Sequence, residues 1–141
     1  MLKDSVVGKL REVVGSEHVL TEGKAFEGYC ADGTAGAASG GLPEARGGAP
    51  CARCAVVLPA DAGETGQVVG LAAEEGLWVV ARGGGTGLWG GAVPSRDGIV
   101  VSTERMSAGP EIHSDDLYAA VGAGVPTVGV GPRPPRPRRC R

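Results

Sequence analysis

Leu77-Trp78-Val79-Val80-Ala81-Arg82-Gly83-Gly84-Gly85-Thr86-Gly87-Leu88-Trp89-Gly90-Gly91 is an apolar run of strand length that opens directly into a glycine loop. Residues without a Cβ adopt positive φ at little cost and let a backbone approach a ligand closely. Several consecutive amides can then converge on one anion. The pattern is therefore a means of holding a phosphate or pyrophosphate, with Arg82 adding a positive charge at the mouth and Thr86 a hydroxyl donor. The competing reading is a flexible turn, in a chain with 26 glycines among its 141 residues.

Spacing excludes two common phosphate loops. Gly85-x-Gly87-x-x-Gly90 matches the dinucleotide fingerprint literally, but that fingerprint must open a helix, with the next strand a full helix later. Here Pro94 follows Gly90 by four residues, and the apolar run Ile99-Val100-Val101 begins before a crossover helix fits. A triphosphate P-loop needs Lys and then Ser or Thr after its last glycine. The chain offers Ala92-Val93 after Gly91.

Outward from the loop, the patterns are local and regular. Ala55-Val56-Val57-Leu58-Pro59 reads as a strand. Asp61 and Glu64 form a capping-box pattern for a helix over about residues 62–75, with Val68, Leu71 and Ala72 inward and Gly76 as the stop. Strand, helix and strand make a right-handed parallel βαβ unit, whose second strand delivers the glycine loop. Nearer the start, Val6, Val7, Leu10, Val13 and Val14 share one helical face, with Asp4 or Ser5 as the cap and Gly15 as the stop. Residues 33–50 hold Gly, Ala, Ser and Pro without periodicity and read as a mobile loop.

The stretch from about Ala55 to Val125 resembles the first part of the FAD-binding domain of FAD-linked oxidases of the vanillyl-alcohol oxidase type, most closely the glycolate oxidase and D-lactate dehydrogenase branch. The carriers are Ala55-Val56-Val57-Leu58-Pro59, Arg82-Gly83-Gly84-Gly85-Thr86 and the exit Gly90-Gly91-Ala92-Val93-Pro94. Gly98-Ile99-Val100-Val101, Glu104-Arg105-Met106 and Leu117-Tyr118-Ala119-Ala120-Val121-Gly122-Ala123-Gly124-Val125 then follow in the family's order.

The resemblance implies an α+β fold: an incomplete FAD-binding PCMH-type domain with an N-terminal helix, a parallel βαβ unit and a disordered C-terminal tail. It implies FAD as cofactor, with Arg82, Gly83, Gly84, Gly85, Thr86, Gly87, Leu88, Gly90 and Gly91 as the binding residues. Relatives that attach FAD covalently often place a histidine in this loop, and this loop has none, so noncovalent binding is expected. Trp89 stands where the family usually has a small residue. Its indole either stacks outward or narrows the site.

Composition sets the outer limits. A chain of 141 residues fits one domain, burying roughly two-thirds of its unfolded surface. The resembling flavin domain is longer than this. Only Phe26, Tyr29, Trp78, Trp89 and Tyr118 are aromatic, so the core is expected to be a thin one of Val, Leu and Ala. No apolar run reaches membrane-spanning length, and the polar start Lys3-Asp4-Ser5 precludes a secretory apolar region, which points to the cytoplasm.

Cys51-Ala52-Arg53-Cys54 has the spacing of half a zinc site or a redox pair. The chain holds no second pair, and Cys54 runs straight into a strand, so reduced, incidental thiols are expected. Glu74 and Glu75 read as a solvated helix end, Asp115 and Asp116 as turn residues and His113 as a surface histidine. No catalytic constellation is visible.

Beyond Val125 the pattern breaks. Gly131 to Arg141 carries 5 of the 14 basic residues, and without it 9 basic face 16 acidic side chains, a net of −7. Its prolines deny it helix or central strand. The segment reads as a basic tail or as the product of a truncation or frameshift. The organisation expected is 1–50 helix and loop, 51–125 partial FAD-binding domain and 126–141 Pro/Arg-rich tail.

The function expected is the FAD-binding front of a 2-hydroxyacid oxidoreductase, inactive alone, with the small substrate belonging to full-length relatives. The alternative is a noncatalytic module whose tail engages acidic partners. The acidic, aromatic-poor body argues against nucleic acid.

Overall fold

The computed structural model describes residues 2–33 and 53–127. Helix α1 (Asp4–Val14) turns Val6, Val7, Leu10 and Val14 into the core and ends at Gly15, whose φ is +90°. Its N-cap is Lys3, without a side-chain cap bond, rather than Asp4 or Ser5. Asp4 lies instead in the first turn, where a carboxylate favours the unpaired amides of the helix end. After one 3₁₀ turn come strand β1 (Val19–Leu20) and the short helix α2 (Gly23–Tyr29). The sequence periodicity signalled neither β1 nor α2.

The second described segment contains β2 (Cys54–Val57), α3 (Ala62–Glu74), β3 (Trp78–Arg82) and β4 (Gly98–Ser102), then the hairpin β5 (Glu111–His113) and β6 (Tyr118–Ala120). The main sheet has the order β1-β2-β4-β3. β1 is antiparallel to β2, and β2 and β3 each run parallel to β4, with Val56 and Val80 both opposite Val100. The strand-helix-strand reading is thus correct in direction and connection. The two strands are not neighbours, because β4 inserts between them.

Burial explains that order. All residues of β2 and of β4 are buried, whereas β3 is half-buried to exposed. Continuous apolar strands belong at the centre of a parallel sheet, covered on both faces. At the root of β3, Gly98 runs against the Trp78 carbonyl so closely that a β-carbon there would overlap it.

The core joins α1 (Val6, Val7, Leu10, Val14) to α3 (Val68, Ala72) and the strand residues Ala55, Val57, Ile99 and Val101. It is aliphatic, as the composition implies. Glu75 ties the two helices at the rim, 3.2 Å from Lys9 Nζ and 3.8 Å from Lys3 Nζ. Exposed pairs of this kind add little stability.

The β5–β6 hairpin pairs His113 with Tyr118, and their rings stack at 4.4 Å across the turn that holds Asp115 and Asp116. It returns to the sheet through Gly122 and Gly124, whose amides donate to Ala108 and Met106. The expected loop over 33–50 and the tail over 126–141 fall almost wholly outside the described residues. Among the described residues no helix is long and apolar enough to cross a membrane.

Candidate functional site

The carboxyl ends of β2, β3 and β4 lie together, the position where open α/β sheets bind ligands. β2 leads into Leu58-Pro59-Ala60, β3 into the glycine loop and β4 into Thr103-Glu104-Arg105.

The first and third of these exits are locked to each other. Asp61 caps α3 by accepting from the Glu64 amide at 2.9 Å, and Glu64 accepts from the Ala60 amide at 2.7 Å. This is the expected capping box, closed one residue earlier than the Asp61 amide. Arg105 donates to the Leu58 carbonyl at 2.6 Å and stands 3.5 Å from the Glu64 carboxylate, with both side chains about a quarter exposed.

The glycine loop occupies the space beyond. Gly85 and Gly90 have φ of +66° and +73°. Gly83 and Gly84 do not, so the need for a left-handed residue falls on Gly85 and Gly90. A β-carbon on Gly83, Gly90 or Gly91 would meet nothing within 4 Å. Among the described residues, no group accepts a hydrogen bond from the amides of Gly84, Gly85, Thr86 or Gly87. Open space over the backbone, two left-handed turns and uncommitted amides together suit a phosphate-bearing ligand. Trp89 is 97% exposed, so its indole points outward and leaves the loop clear.

The residues behind the loop were not foreseen from the sequence. Gly33 backs onto the Thr86 and Gly87 carbonyls, and Asp32 is buried beside Gly87. Arg82 reaches away to this same segment. Its guanidinium donates to the carbonyls of Ala31 at 2.5 Å and Gly28 at 3.1 Å, with Tyr29 at 3.5 Å, and lies 5.4 Å from the centre of the Tyr29 ring.

The Tyr29 hydroxyl donates to Glu104 at 2.8 Å. Burial, with the Glu104 carboxylate adding to it, pushes this phenol above its ordinary pKa. The sole advance signal was that Tyr29 is one of few aromatic residues.

Of the cysteines, Cys54 is buried, free and donates to the Arg96 carbonyl at 3.4 Å. Burial pushes its thiol up, the opposite of a reactive cysteine. Cys30 is disulfide-bonded, which corrects the expectation of reduced thiols. Cys51 lies outside the described residues. Among the described residues no group of three or more His, Cys, Asp or Glu side chains gathers at metal-binding distance.

A family model described as FAD binding domain matches residues 54–131. The chain is 47% identical over 70 residues to D-lactate dehydrogenase of Archaeoglobus fulgidus, covering 50% of this chain and 16% of that protein. It is 31% identical over 120 residues to an uncharacterized FAD-linked oxidoreductase of Mycobacterium tuberculosis, covering 85% of this chain and 24% of that one. Among solved structures, p-cresol methylhydroxylase with substrate bound superposes with a TM-score of 0.69 at 21% identity, over 86% of this chain and 22% of that chain. The chain thus spans less than a quarter of the length of each.

Proposed function

The chain belongs to the FAD binding domain family, and on that premise we propose that it supplies the pyrophosphate-holding front part of a flavin-dependent 2-hydroxyacid oxidoreductase, glycolate oxidase-like or D-lactate dehydrogenase-like. The observation that carries this reading is the glycine loop at the carboxyl ends of β2, β3 and β4, whose amides from Gly84 to Gly87 are uncommitted among the described residues.

The backbone of Gly83, Gly84, Gly85, Thr86, Gly87, Leu88, Gly90 and Gly91 holds the pyrophosphate, and Thr86 adds a hydroxyl donor. Arg82 belongs to the same unit at its root. FAD, when bound, supplies the hydride-accepting chemistry, and the protein supplies binding and orientation. Binding is noncovalent, because the loop offers no histidine tether.

Turnover of a small 2-hydroxy acid is assigned to the parts of the relatives that this chain does not match. Catalysis requires reactive groups held together in near-attack geometry, and a phosphate cradle is only an anchor. The reading places the protein in the cytoplasm, and the disulfide at Cys30 is the observation that weighs against that location.

Titration of the full chain with FAD tests the site. Gly85→Val places a side chain at a φ of +66° and against the Arg82 guanidinium, and is expected to weaken binding at least about tenfold. Equal affinity of wild type and variant would remove the loop from the site.

A further inference from the structure

The Arg82 guanidinium is held between two backbones. On one side it donates to the carbonyls of Gly28 and Ala31, with Tyr29 at longer range, 51 to 54 residues earlier in the chain. Gly28 and Tyr29 close α2, and terminal helix carbonyls have no partner within their own helix. On the other side lies Gly85, where a β-carbon would overlap the guanidinium itself. Arg82 is also the last residue of β3, paired with Ser102, and Tyr29 under its guanidinium is anchored to Glu104 just past β4.

Charge alone does not account for this arrangement. An ammonium is a compact point charge, whereas the planar fork presents several donors in a fixed geometry. The fork is what reaches Gly28 and Ala31 together while leaving Gly85 in its left-handed turn.

We propose that Arg82 is a positioning residue: it fixes the first turn of the glycine loop against the end of α2, and so sets the convergence of the Gly84 to Gly87 amides, without itself contacting the phosphates. The inference rests on the reading of the loop as the FAD pyrophosphate site. It assigns to the α2 segment, remote in sequence, part of the control over cofactor affinity.

The test uses the full chain with Arg82→Lys and Arg82→Ala. Amide hydrogen exchange of the FAD-free chain is expected to accelerate at residues 83–91 in both variants by more than it does in the core strands β2 and β4, whose exchange reports the global stability. FAD affinity is expected to fall at least about tenfold even in Arg82→Lys, which keeps the charge. Methylguanidinium is expected to restore affinity to Arg82→Ala better than methylammonium does.

An Arg82→Lys variant that binds FAD like wild type, with unchanged loop exchange, overturns the proposal. So does equal action of the two additives, or an affinity loss with no change in the loop amides. Failure of the wild type to bind FAD would instead strike the site reading, and loop exchange would then decide the positioning role by itself.

Discussion

Gly33 lies against the carbonyl of Thr86, 3.0 Å from where a β-carbon on Gly33 would stand, so the segment after α2 is the floor of the glycine loop. The Gly87 carbonyl and Leu88 Cδ2 are nearly as close, at 3.1 and 3.3 Å. Gly33→Ala is therefore expected to lift the loop, cost about 1 kcal/mol of stability and weaken FAD several-fold. Calorimetric titration and urea unfolding measure the two effects. Unchanged affinity would mean that this floor does not shape the site.

Gly98→Ala presses on the sheet rather than the loop. The added methyl meets the Trp78 carbonyl, which is backbone and is fixed by β3–β4 pairing. Overpacking of this kind costs about 1–3 kcal/mol, and the rigid contact places the expected loss at the upper end of that range. Thermal unfolding that matches wild type would show that β3 can shift along its edge.

Tyr29→Phe removes the hydroxyl that donates to Glu104. A neutral-pH loss of about 1 kcal/mol is expected for one hydrogen bond. The folded-state pKa of Tyr29 is raised, so its contribution is complete below the ordinary tyrosine value near 10. It is then lost as pH rises from there through the folded-state value. Wild type should show this alkaline loss of stability and the variant should lack it. Urea midpoints followed across alkaline pH, with phenolate absorbance as the site-specific probe, decide the matter.

Release of flavin by denaturation follows from the composition of the loop, whose residues 83–91 include no histidine. After reconstitution and acid precipitation, flavin absorbance is expected in the supernatant. Flavin retained in the washed pellet would establish a covalent link elsewhere in the chain.

What was legible in the sequence was what the chain states locally. The Asp61 and Glu64 pair announced α3 because a capping box acts within four residues, and the apolar strands announced themselves by composition. The glycine run marked the loop proposed to hold the pyrophosphate, because freedom from a Cβ is a property of each residue alone. The insertion of β4 was not legible, since pairing order is decided by burial across the sheet and leaves no mark on spacing.

Likewise Arg82 read as a charge at the mouth of the loop. Its partners are backbone carbonyls, which every residue possesses and which no side-chain pattern can advertise. The same reason hid the role of Gly33, one glycine among many. Trp89 is the opposite case: the sequence allows two orientations of its indole, and its exposure selects the outward one.

The central place of β4 bears on how the protein is made. A ribosome releases β2, α3 and β3, and then the whole glycine loop, before Gly98–Ser102 emerges, and neither earlier parallel strand has the other as a neighbour. Until β4 docks, β2 and β3 lack the shared partner that sets their spacing, and Arg82 lacks the strand that fixes its backbone. The root of the loop and the parallel part of the sheet therefore depend on the same late-synthesised strand. A cofactor that needs the finished loop would meet it only on chains whose core is already assembled, so its binding would mark completed molecules off from partly folded ones.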